Sequence, residues 1–283
     1  MTKRRTDLAI EINENLGENV NGIKKFDKKN GDVSVCKIEI LNSSAAEKLG
    51  KPIGKYITVE FPSVDKIDSF DEIKDELITA LRELLPEKYN NILVVGLGND
   101  EITSDSIGPN TAKRLLATRH IAGEFAENIG LKGLNSVSVV APNVLGKTGI
   151  EVSEIIESIV KKTAPQAVIV IDALASMSIT RLFKTVQLCD TGISPGSGVK
   201  NSRRELSQKT LGVPVIAVGV PTVVDALTLA FEITEELPKN DTDMIVTPKD
   251  ADLLCHRISE ILSSSLNVFL QPNIAPEIIF SLV

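Results

Sequence analysis

The chain has few of the residues on which several common chemistries depend. Only two histidines, His120 and His256, occur in 283 residues, and they form no cluster with metal-ligand spacing. A serine triad is disfavoured as well: Ser197 lacks an evident positioned base, since His120 ends the basic segment from Arg114 to Arg119 and His256 falls in a carboxy-terminal helix. Cys255 and His256 do not pair by adjacency, because neighbours on a helix point about 100° apart. Three cysteines, Cys36, Cys189 and Cys255, are odd in number and lack disulfide or metal spacing, so core thiols in a reducing cytoplasm are expected. There is no excess of positive charge: 38 acids against 31 bases give a net charge of −7. That balance disfavours nonspecific binding to nucleic acid or to an anionic membrane and leaves a basic protein substrate open. Nor is there an uninterrupted apolar run of membrane-spanning length, because Val213 to Phe231 is broken by Pro214, Gly219, Pro221 and Asp225. The segment from Met1 to Glu11 has no apolar stretch of signal-peptide length, so no export is expected.

What is present is a substantial apolar fraction, 42%, enough for a real core. The first 16 or so residues read as a loosely attached arm before the polar stretch Glu18 to Gly22. From about 22 to 62, the alternating segments Val33 to Ile40 and Tyr56 to Phe61, with a turn at Lys29-Asn30-Gly31-Asp32, predict an antiparallel extension. Asp71 to Leu85 reads as an amphipathic helix. From Asn91 strands and helices alternate, which predicts one α/β domain: a three-layer, mainly parallel sheet flanked by helices. Strands are expected near 92–97, 136–141, 167–172, 184–189 and 214–219, and helices near 108–119, 150–162, 222–237 and 249–268. Residues 238–243 form the one candidate loose linker in the second half.

Two segments bring an aspartate to the end of an apolar run. One is Ile92 to Asn99, followed shortly by Asp105; the other is Val168-Ile169-Val170-Ile171-Asp172. Ligands of open α/β sheets gather at the carboxyl ends of such strands, so the two acids are expected to face one crevice. Paired carboxylates can share a proton, one activating water while the other protonates a leaving group, which points to hydrolysis. Bland roles stand beside these: Asp105 suits a helix cap before Ser106, and Asp172 suits a structural ion pair. Gly96-Leu97-Gly98-Asn99 invites a dinucleotide reading, but the third glycine is missing, and a tight turn preparing the Asp105 loop fits better. The glycine-rich segments 141–149, 190–193 and 194–199 each follow a predicted strand and would either line a cleft or make ordinary turns.

These segments resemble the germination protease family of endospore-forming bacteria over most of the chain. The resemblance rests on Arg5 to Glu11, Val94 to Asn99, Thr148 to Glu151, Ile171 to Ala175, Asp190 to Ile193, Pro195 to Val199, Pro214 to Ala226 and Val246 to Lys249, in that order. It implies an endopeptidase that degrades small acid-soluble spore proteins at germination, with Asp105 and Asp172 at the positions of the proposed catalytic pair. It also implies a homotetrameric zymogen of the spore core that removes a short propeptide by self-cleavage, after an acidic residue and before a hydrophobic one followed by alanine. Asp7-Leu8-Ala9 has that pattern, so processing is expected between Asp7 and Leu8, leaving residues 8–283 as the peptidase domain. Substrate contacts are expected from Asn99, Thr148, Gly149, Gly196, Ser197 and Gly198. Arg181, Arg203 and Arg204 are candidates for reading acidic side chains, with solvated surface charge as the default.

The fold is similar as well to that of hydrogenase-maturation peptidases, whose acids at comparable places bind a metal. Here no histidine lies near the expected third ligand position, so no cofactor is expected, and Asp105 and Asp172 alone would hold a divalent ion only loosely. A metal-dependent peptidase and a non-enzymatic binder of spore proteins are the alternatives. The sequence departs from the family where Asn143 and Lys200 replace usual glycines and Met177 a usual arginine, and in a short stretch between Ala226 and Met244.

Overall fold

The computed structural model describes residues 5–17, 20–64, 70–86, 88–121, 126, 128, 131, 133–194, 204–235 and 244–282. Among the described residues, nine strands form one sheet: β1 (Ile23–Asn30), β2 (Val33–Ile40), β3 (Gly54–Glu60), β4 (Asn91–Gly96), β5 (Ser136–Val140), β6 (Ala167–Ser176), β7 (Thr185–Cys189), β8 (Val215–Asp225) and β9 (Ile245–Val246). Their order is β1-β2-β3-β7-β8-β6-β4-β5, with β9 on β8. The segment β8-β6-β4-β5 is parallel. The hairpin β1-β2 and strand β3 join it antiparallel through β7. The expected amino-terminal extension is therefore continuous with the core sheet.

Alternation explains the layers. Ile92, Val94, Ile169, Ile171, Ile216 and Val218 point to one face, where the helices Phe70–Leu84 and Ala251–Leu270 cover them. Leu93, Val95, Val168, Val170 and Val215 point to the other, against the helix Val152–Thr163. Each such buried aliphatic side chain contributes about 1.5–3 kcal/mol, so the two faces fix the register of every central strand.

Three sequence expectations are corrected. The arm is not loose: Leu8 and Ala9 are 0% exposed, and Ala9–Leu16 is a helix whose apolar side packs with Ile38, Tyr56 and Leu174. Polar residues hid this face, because buried Glu11 is satisfied by specific partners described below. Second, the helix expected from 222 begins at Ala226, since β8 runs on to Asp225. Pro221 is accommodated at a register shift, where Leu174 opposes Pro221 and Ala175 opposes Val223, leaving Thr222 as the extra residue of a bulge. Third, the helix expected over 108–119 stops at Ala112. Asn267 takes over the backbone beyond it, accepting the Leu116 N–H at 2.9 Å and donating to the Arg114 carbonyl at 3.0 Å.

Candidate functional site

Asp172 sits within the apolar strand β6 and is 7% exposed; its Oδ1 accepts the Ala173 N–H at 2.9 Å. Asp105 is carried by a loop that closes back on the end of β4. Gly98 has φ +112°, and a Cβ there would lie 2.0 Å from the Asp105 carbonyl oxygen. Gly108 approaches as closely, its would-be Cβ 2.1 Å from the Leu97 carbonyl oxygen. The glycines of this turn therefore serve close backbone packing, with the chain itself in the space that a nucleotide phosphate would need. Asn99 belongs to the same turn: its N–H donates to Asp105 Oδ2 at 2.9 Å, and its side-chain oxygen accepts the Glu101 N–H at 3.1 Å.

The loop is tied from both sides. The Thr222 hydroxyl, on the β8 bulge, donates to the Ser104 carbonyl at 2.6 Å, and the Cys255 thiol donates to the Thr103 carbonyl at 3.0 Å. Burial pushes that thiol up to about 11, so it stays protonated at neutral pH. The result is one open cleft of about 240 Å³ whose lining includes Asp105, Asp172, Thr222, Ser194 and Asp7. Thr222 was missed in the sequence; a hydroxyl directly after Pro221 in an otherwise apolar strand was its signal.

The amino-terminal segment enters this cleft. Asp7 pairs with Ala175 in two bonds, its N–H donating to the Ala175 carbonyl and its Oδ2 accepting the Ala175 N–H, each at 2.9 Å. Glu11, 2% exposed, accepts from the Ser176 hydroxyl and from the Met177 N–H, each at 2.7 Å. Arg181 stands 3.4 Å from Glu11, donates through both terminal nitrogens to Glu14 at 2.8 Å, and donates through Nε to Glu60 at 2.7 Å. Burial alone would lower its pKa, but the bonds to Glu14 and Glu60 outweigh that and hold the guanidinium above its ordinary value. Arg181 thus reads acidic side chains of the chain's own amino terminus.

Other candidates lie apart. Thr148 and Gly149 are exposed and outside the cleft lining; the Thr148 hydroxyl closes its own turn on Ile150, and Gly149, at φ +71°, ends a short helix. Asn143 adopts φ 65°, the left-handed region that asparagine tolerates. Arg204 pairs with Glu157 at 2.8 Å. Gly196, Ser197, Gly198, Lys200 and Arg203 lie outside the described residues, as do residues 238–243. Among the described residues no group of three or more His, Cys, Asp or Glu side chains is placed to hold a metal ion. No helix among them is long and apolar enough to cross a membrane.

The fold and the cleft define an α/β protein with two aspartates lining one cleft at the carboxyl side of a parallel sheet. Comparison with known proteins makes this specific. Residues 3–239 match the family described as germination protease. The germination protease of Clostridium acetobutylicum is 40% identical over 316 residues, covering 96% of each chain. That of Clostridium perfringens is 38% identical over 317 residues, covering 96% of this chain and 97% of its own. That of Bacillus velezensis is 41% identical over 249 residues, covering 83% of this chain and 67% of its own. The chain belongs to the germination protease family and is an endopeptidase of that kind. Among solved structures, a NiFe hydrogenase maturation protease from Thermococcus kodakarensis aligns with TM-score 0.39 and 15% identity, covering 66% of this chain and 98% of its own.

Proposed function

We propose that the protein initiates the degradation of small acid-soluble spore proteins in the germinating spore, cutting after Glu or Asp and before a hydrophobic residue followed by alanine. Asp105 and Asp172 are the catalytic pair. One carboxylate takes a proton from water as its oxygen attacks the peptide carbonyl carbon; the other, protonated, gives its proton to the departing nitrogen as the C–N bond breaks. The cycle needs no cofactor. In the same reading the protein is a homotetramer of the spore core, made as a zymogen that cuts itself between Asp7 and Leu8.

One observation supports this reading: Asp7, the acidic residue of the chain's own acidic–apolar–alanine segment Asp7-Leu8-Ala9, lines the same cleft as Asp105 and Asp172. Asp7 is held at the end of β6 by one main-chain bond to the Ala175 carbonyl and by one from the Ala175 N–H to its own carboxylate.

The test is digestion of a purified small acid-soluble spore protein, with and without chelator, read by mass spectrometry of the products. The expected result is cleavage after an acidic residue, unchanged by chelator and slowed at least about 10³-fold in Asp105→Asn and in Asp172→Asn. Cleavage at the wild-type rate by both variants would overturn the acid pair. Loss of cleavage with chelator would replace it with a metal-dependent reaction.

A further inference from the structure

We propose that Gln187 is a third catalytic residue of this site: its side-chain amide grips the main chain across the bond to be cut and polarises that bond's carbonyl. Gln187 Nε2 donates to the Asp7 carbonyl oxygen at 3.1 Å, and Gln187 Oε1 accepts the Ala9 N–H at 2.6 Å. The inference rests on the reading that Asp7–Leu8 is a bond this protein cuts.

The sheet register places Gln187 for this role. Gly219 on β8 opposes Asp172 of β6 on one side and Gln187 of β7 on the other. The flanking residues Ile171, Val186, Leu188 and Val218 all join the core of the opposite face, so Asp172 and Gln187 project from the same face in one row. With strands about 4.8 Å apart, their backbones stand roughly 10 Å apart, and the residue between them has no side chain. The Leu174 side chain covers Gly219, its Cδ1 2.3 Å from where a Cβ would stand, and forms the floor between the carboxylate and the amide. Asp7 lies where the two cavities meet, one lined by Asp105 and Asp172 and the other, of about 180 Å³, by Gln187, Tyr56 and Cys189.

The orientation of the amide is fixed by its two partners. Turning it over would set oxygen against carbonyl and NH₂ against N–H, so Nε2 must face the Asp7 oxygen. Gln187 is 6% exposed, and a neutral donor held there with little water strengthens as its acceptor becomes an oxyanion. A substrate's acidic–apolar–alanine segment would be held by the same two bonds, which use only main-chain atoms and leave side-chain choice to the surrounding pockets.

The test compares full-length wild type, Gln187→Met and Asp172→Asn. Self-cleavage is followed by intact mass, and turnover by steady-state hydrolysis of a peptide containing Glu-Ile-Ala. Gln187→Met should lower kcat about 10²–10³-fold, the usual cost of one oxyanion donor, with KM altered less than about tenfold. If it turns over like wild type while Asp172→Asn is inactive, the grip is wrong and the acid pair stands. A raised KM at unchanged kcat would make Gln187 a binding group alone and would also overturn the proposal. An active Asp172→Asn would remove the reading beneath it. Should Gln187→Met fail to fold, Gln187→Glu keeps the length and the acceptor, loses the donor, and should show the same fall in kcat.

Discussion

On the parallel side of the sheet, Asp172 projects from the middle of a ten-residue strand and Asp105 from a loop folded onto β4 by glycines. On the antiparallel side, the same face presents Gln187, whose side-chain amide bonds to the main chain at Asp7 and Ala9, while the end of β6 holds Asp7 and Glu11 of the same segment. The acids thus come from the half whose strand ends leave a crevice, and the amide that bonds across Asp7–Leu8 comes from the antiparallel half. Gly219 stands at the seam. The difference teaches that a buried carboxylate and a main-chain-binding amide on different strands can be aligned by strand register, here through Gly219.

Substitutions on each side sharpen or break this division. Loss of either acid should have the largest effect, about 10³-fold or more on turnover, and loss of Gln187 the next. Gly98→Ala, which keeps both acids, should follow: its Cβ would collide with the Asp105 carbonyl oxygen and crowd the Asp105 carboxylate, and φ +112° is strained for alanine. Turnover should fall about 10²-fold, as expected for a displacement near 1 Å. Stability should fall by about 1–3 kcal/mol, read from denaturant unfolding. A fully active Gly98→Ala would show that the loop tolerates movement and that Asp105 is not held by it. The smallest effect is expected at Thr222→Val, which leaves the Ser104 carbonyl without its 2.6 Å partner. About tenfold in kcat and 1–3 kcal/mol in stability should be lost, measured in the same assays.

Much of the parallel half was legible in the sequence. Runs such as Val168-Ile169-Val170-Ile171 have few alternatives to buried strands, and an aspartate at the end of one stands out because its burial must be compensated. The antiparallel half was less legible. Gln187 lies in Thr185-Val186-Gln187-Leu188-Cys189, where a single amide in an apolar strand carried the same kind of signal as Asp172 but without charge to draw notice. The amino-terminal segment read as an arm because its burial depends on partners far away in sequence: Ala175, Ser176, Met177, Arg181 and Gln187. The end of β8 was misjudged because Pro221 is unusual within a strand, and only the bulge at Thr222 makes room for it.

The most direct measurement of the central claim is the intact mass of the full chain as it becomes active, in wild type and in Asp172→Asn. The account predicts loss of residues 1–7 in wild type, giving a new terminus at Leu8, and no such loss in the variant. Active protein that still carries Met1, or an Asp172→Asn chain that trims itself at the same bond and rate, would contradict it.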